Sequence, residues 1–262
     1  MRQMILDNEE VSFFVKKDSI VRQIWGKSDT VLFIFAGASA EFALNKAVDW
    51  LYFTGRLPSD PLGRLFSTVA YAGRIIYLDR TEALKAIDHI TQIHRVVEQN
   101  RGADIPQWAY RDVLYMLIDY SVKAFELLER KLTDFEKEEI FEVFRKVGSR
   151  MEIKDLPESY SAWENQRELH LEQDLIRSRF TDDLYQQYRK HLGPVRYWLL
   201  KKVQEMECPD KVKSLLRLKK NHLIPIALSA YKVSRLIKVE GLIKSLLLPA
   251  AYKEQIKNLD RY

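Results

Sequence analysis

Apolar residues recur at steps of three and four along almost the whole chain, the spacing of one face of an α-helix. The exception is Val31–Phe35, VLFIF, an apolar run rich in β-branched and aromatic residues that has strand character. It leads directly into AGASAEFALNKAVDWL, which is made of helix formers and small residues. The expectation is one buried helix over residues 30–51, packed closely at Gly37, Ala38 and Ala40, with a strand as the minor alternative.

Punctuation along the rest of the chain marks further helices. A short helix or loop and an amphipathic segment around Ile20–Trp25 occupy the first 30 residues. Gly55, Pro58, Pro61 and Gly63 mark a loop, and Asp60 before Pro61 is a strong helix start for residues 60–77. Asp79 caps the next helix, 79–99, where Ile87, Ile90, His94 and Val97 form a stripe. Residues 100–106 close it, and 108–131 form a long helix with Val113, Leu114, Leu117, Ile118, Ser121, Phe125 and Leu128 inward. Thr133 with Glu136 is a capping box that opens a helix over 134–151. Helices over 160–180, 182–191 and 194–206 follow, set off by Pro157 and Pro194. From residue 209 the pattern is basic and amphipathic, broken at Pro225, Gly241 and Pro249. The fold class is all-α: a single helical domain over 1–262, with the segment 209–262 packed on it.

Composition agrees and narrows the setting. Of 262 residues, 47% are apolar and 30% charged, enough to bury a core and too ordered a composition for a disordered chain. The single cysteine, Cys208, excludes an intramolecular disulfide and an all-cysteine metal site. No secretory signal and no membrane-spanning run is visible, so a cytoplasmic location is expected. The net charge of +5 is uneven. Residues 201–262 carry 14 Lys/Arg and 6 Asp/Glu, whereas positions 1–200 carry 28 and 31. The C-terminal basic residues are interleaved with aliphatics and few aromatics, which argues against nucleic acid. Three readings of that segment stay open: a helix covering the core with a solvated basic face, a peripheral membrane-surface helix, or a cover over an apolar substrate channel.

Chemistry concentrates in residues 60–99. His94 in an apolar stripe is either a core histidine bonded to a neighbour or a metal ligand. His89 lies five residues earlier, about 140° around a helix, so the two cannot chelate one ion. An axial histidine with a macrocycle supplying the other ligands stays open. Arg64 and Thr68 share a face at i, i+4, either as a surface ion-pairing arginine and a gap-filling threonine or as groups that approach a haem. The carboxylates among residues 126–142 and the group Glu168, His170 and Asp174 lack ferritin-like spacing and read as solvated faces. Phosphate-binding, nucleophile-elbow and zinc-protease motifs are absent from the sequence.

The string D-P-L-G-R-L-F-S-T around Arg64 and Thr68, followed by I-T-Q-I-H-R-V-V around His94, resembles the haem core of the MpaB and latex clearing protein (rubber oxygenase) family. Ala109, Tyr110 and Asp112 at the start of the long helix, and Leu156-Pro157, match later landmarks. The resemblance covers roughly residues 25–220. It implies a globin-like all-α core with additional helices, holding haem b. His94 would be the axial ligand to iron, with Arg64, Thr68 and Ser67 beside the cofactor. It also implies an oxygenase in which Arg64 and Thr68 serve catalysis, acting with dioxygen on a hydrophobic, isoprenoid or other alkene substrate by C=C cleavage. The alternative is a helical protein that carries haem or an apolar ligand without catalysis.

This chain departs from the family in places. Ser67 stands where the rubber oxygenases carry a lysine, Glu98 where a glycine is usual, and Met116-Leu117 where an aromatic-valine pair is usual. No carboxylate matches the proposed family base, although Asp49 is nearby in sequence.

Overall fold

The computed structural model describes residues 12–55 and 59–218, and among these the chain is helical, with no strand. The expected all-α class is correct. In order the helices are α1 (Ile20–Trp25), α2 (Ser28–Phe42), α3 (Val48–Phe53), α4 (Pro61–Tyr77) and α5 (Arg80–Arg101). Then come α6 (Gln107–Leu128), α7 (Asp134–Arg150), α8 (Tyr160–Gln173), α9 (Arg179–Glu207) and α10 (Asp210–Leu216). Most of the C-terminal basic segment, residues 219–262, lies outside the described residues.

The strand-like run belongs to α2, and its composition follows from its place. Val31, Ile34, Phe35, Ala36, Gly37 and Ala40 are all buried, and a helix that is apolar all round sits inside a domain. Its main partner is α6. A Cβ added at Gly37 would lie 2.3 Å from two ring carbons of Tyr120, so only glycine admits this approach. The single helix expected over 30–51 is two: the chain leaves α2 at Ala43 and restarts at Val48. Asn45 divides them, its Oδ1 accepting from Ala47 N at 2.8 Å. Short polar side chains compete with helix continuation in this way.

Elsewhere the caps fall where the residues place them. Asp60 accepts from Gly63 N at 2.8 Å, Asp79 from Glu82 N at 3.0 Å, and Thr133 with Glu136 forms the capping box. Gly102, at φ 69°, ends α5 in the left-handed region that favours glycine. The helix expected over 160–180 stops at Gln173 and restarts at Arg179. Helix α9 is interrupted where the sequence places a break, since Gly193 before Pro194 has non-helical backbone (φ 72°, ψ 173°), in keeping with the expected helices over 182–191 and 194–206. Val113, expected inward on α6, is 42% exposed. The first turns of α6 face solvent on that side.

The α4–α5 hairpin packs against this centre. Its contacts are Ile75, Ala86 and Ile87, which meet Val147 of α7. Complete burial of Ile87 contributes roughly 1.5–3 kcal/mol.

Candidate functional site

Arg64, Ser67 and Thr68 stand on successive turns of α4 behind the Asp60 cap. Both hydroxyls turn back onto the helix: Ser67 Oγ donates to the Arg64 carbonyl at 2.8 Å and Thr68 Oγ1 to the same oxygen at 3.2 Å. Ser67 is exposed, while Arg64 and Thr68 are half-buried.

Across the hairpin, the His94 ring of α5 stands edge-on to Tyr110 of α6, with centroids 5.2 Å apart. Tyr110 is held by Glu98 Oε1, which accepts from its hydroxyl at 3.0 Å and from Ile105 N at 2.9 Å. The glutamate at position 98 therefore ties the loop after α5 to the ring that abuts His94, which a glycine there could not do.

His94 Nδ1 is buried and has no hydrogen-bond partner in the structure. Burial, and after it the charge of Arg64, push the imidazole down to about 4, so His94 is neutral at physiological pH. The charge of Arg64 on α4 thus acts on the His94 ring of α5. His89 points elsewhere and stacks on Tyr71 at 5.8 Å. Asp49 does not join the group; it accepts from Arg101 Nη2 at 2.7 Å, and that guanidinium lies 3.8 Å over Trp50.

A second constellation lies in the middle of the domain, on α2, α6 and α8. Arg167 bridges two carboxylates, bonding Glu41 with both terminal nitrogens and Asp119 Oδ2 through Nη2 at 2.8 Å. Tyr120 donates to Glu41 Oε2 at 3.0 Å. His170 places Nε2 2.8 Å from Glu41 Oε1 and Nδ1 2.7 Å from Asp112 Oδ1, with Asp174 Oδ2 at 3.5 Å. Asn45 donates to Asp112 Oδ2 at 2.9 Å.

Burial opposes charge at Glu41, Arg167 and His170, and the mutual pairing outweighs it; at Asp174 burial prevails and raises the carboxyl. Arg167 and His170 hold the Glu41 carboxyl well below the usual range, and Asp112 and Glu41 raise His170 to about 9.

The solvated face expected for Glu168, His170 and Asp174 holds for Glu168, which is exposed, and is corrected for His170 and Asp174. His170 is 3% exposed, while its neighbour Leu169 is 55% exposed. Trp163, Arg167, His170 and Asp174 recur at steps of 4, 3 and 4, and the first three are buried. That spacing is a helical signal in the sequence. The inward face carries charge, however, and apolar periodicity does not register it.

A family model described as ER-bound oxygenase mpaB/B'/Rubber oxygenase, catalytic domain, matches residues 23–239. Among curated proteins and among solved structures, none matches the chain significantly.

Proposed function

The chain belongs to the mpaB and rubber oxygenase catalytic-domain family, and from that premise we propose that it is a haem b-dependent oxygenase whose cofactor is held at His94. The observation that carries the reading is the state of that side chain. A buried ring nitrogen with no protein partner is costly unless something else satisfies it, and a neutral imidazole is the form that ligates iron. The residues present thus fit a haem whose iron His94 would hold. When bound, haem supplies the redox-active iron that dioxygen chemistry requires.

The chain's own groups divide the work between them. Arg64 sets a positive charge beside His94, suited to pairing with a haem propionate, and it keeps a proton off the imidazole. Thr68 already gives its proton to the Arg64 carbonyl, so toward a ligand its oxygen is an acceptor, and Ser67 is arranged in the same way. Ser67 has no amine to offer a haem or its ligand. The substrate we assign is hydrophobic and alkene-containing, with dioxygen as co-substrate. The basic, aliphatic-rich segment that begins at residue 209 is proposed to cover it or to touch a membrane surface. No helix of the described residues is long and apolar enough to cross a membrane.

Purified from haem-supplied cells, the protein should show a Soret band that His94→Ala removes and Arg64→Ala diminishes less. Colourless wild-type protein would overturn the haem assignment. With haem bound, a panel of polyprenyl compounds under oxygen should yield carbonyl products. Haem-loaded protein that turns over none of them would be a haem carrier instead.

A further inference from the structure

The proposed haem site takes nothing from the central cluster, and one edge of that cluster is unfinished. Asp112 on α6, His170 on α8 and Asp174 at the end of α8 bring one ligand atom each to within 4.8 Å of one another. His170 Nδ1 is buried and makes no hydrogen bond of acceptable geometry, although carboxylate oxygens lie 2.7 and 3.5 Å away. Nitrogen and oxygens are close enough to one another to share one ion.

The surroundings complete the pattern. The far nitrogen of His170 is fixed by Glu41 Oε1 at 2.8 Å, and the far oxygen of Asp112 accepts from Asn45 at 2.9 Å. Metal-binding histidines and carboxylates are oriented by such outer partners. With His170 neutral, Glu41, Asp112, Asp119 and Asp174 face Arg167 and Lys123, leaving two negative charges over. Lys46, at the exposed edge beside Asp174, lessens that excess. The Asp174 side chain is 23% exposed and leaves a way in for an ion and its waters.

We propose that Asp112, His170 and Asp174 form a binding site for one divalent first-row cation, zinc or manganese, separate from His94. Two carboxylates and one imidazole suit these ions better than magnesium, which prefers oxygen donors throughout. The competing occupant is a proton on Nδ1, which would make His170 an imidazolium between Glu41 and Asp112.

The full chain, stripped with a chelator, is titrated calorimetrically with zinc, manganese and magnesium. One equivalent of zinc or manganese should bind, magnesium should not, and the melting temperature should rise with the bound ion. Asp174→Asn alters the exposed edge and leaves the buried pairs intact; it should weaken binding at least about tenfold, and Asn45→Ala about 10–100-fold. His94→Ala should leave zinc uptake unchanged while it removes the Soret band, so the two assignments fail separately. Folded wild-type protein that takes up neither ion would overturn the site and leave the proton as occupant. Uptake unaffected by Asp174→Asn would place the ion elsewhere and overturn it equally.

Discussion

The α4–α5 face and the centre formed by α2, α6 and α8 each hold a histidine next to an arginine, and the two are built on opposite principles. In the centre, Arg167 and His170 are surrounded by acceptors, and most of the polar capacity is used within the protein. On the hairpin face, His94 has an aromatic neighbour, a like charge and a buried nitrogen with no partner. Burial moves both imidazoles, yet one ends near 9 and the other near 4. Burial pushes both rings down; the carboxylates beside His170 outweigh it, while at His94 burial prevails and the charge of Arg64 adds to it. Both places leave a buried histidine nitrogen without a hydrogen bond, but the centre surrounds its ring with carboxylates, whereas the hairpin face sets the charge of a guanidinium against it.

The contrast can be broken by substitution. Arg167→Ala strands Glu41 and Asp119 inside the domain and should cost about 3–5 kcal/mol in urea unfolding. A loss under about 1 kcal/mol would mean that water reaches the cluster. Gly37→Ala forces a methyl into the Tyr120 ring and should cost about 1–3 kcal/mol. The same unfolding curve would reveal whether α2 and α6 can separate without penalty. On the hairpin, Asp79→Ala removes the α5 cap for about 1 kcal/mol and should lower haem retention as His94 loses its footing.

In haem-free protein, His94→Leu removes an unpaired buried group and should leave stability unchanged within about 0.5 kcal/mol or raise it. A clear loss would identify His94 as a core histidine and erase the contrast with His170.

Glu207, close to the centre, gives the most pH-dependent effect. Both of its oxygens are buried without a hydrogen bond. Burial pushes the carboxyl well above the ordinary 4.5, against Lys123 and with help from Asp119. A raised acid costs stability as pH climbs above the unfolded value, because only the unfolded chain releases its proton freely. Glu207→Gln should therefore be more stable than wild type at neutral pH, with the gap closing as pH falls toward about 4.5. A gap independent of pH would show that Glu207 titrates normally.

Local physics made much of this protein legible from its residues. Helix starts at Asp60, Asp79 and Thr133 were readable because a cap is a contact within four residues. The α4–α5 hairpin was readable because two helices joined by a short turn lie side by side. Tertiary structure decided the rest. The break after Ala43 depends on Asn45, which also reaches Asp112, 67 residues away in sequence. Glu41, Asp112, Asp119 and Arg167 come from three helices, and each alone resembles an ordinary surface charge. Their burial follows from one another, since a charge enters the core only with its partners. No single stretch of sequence contains that pairing.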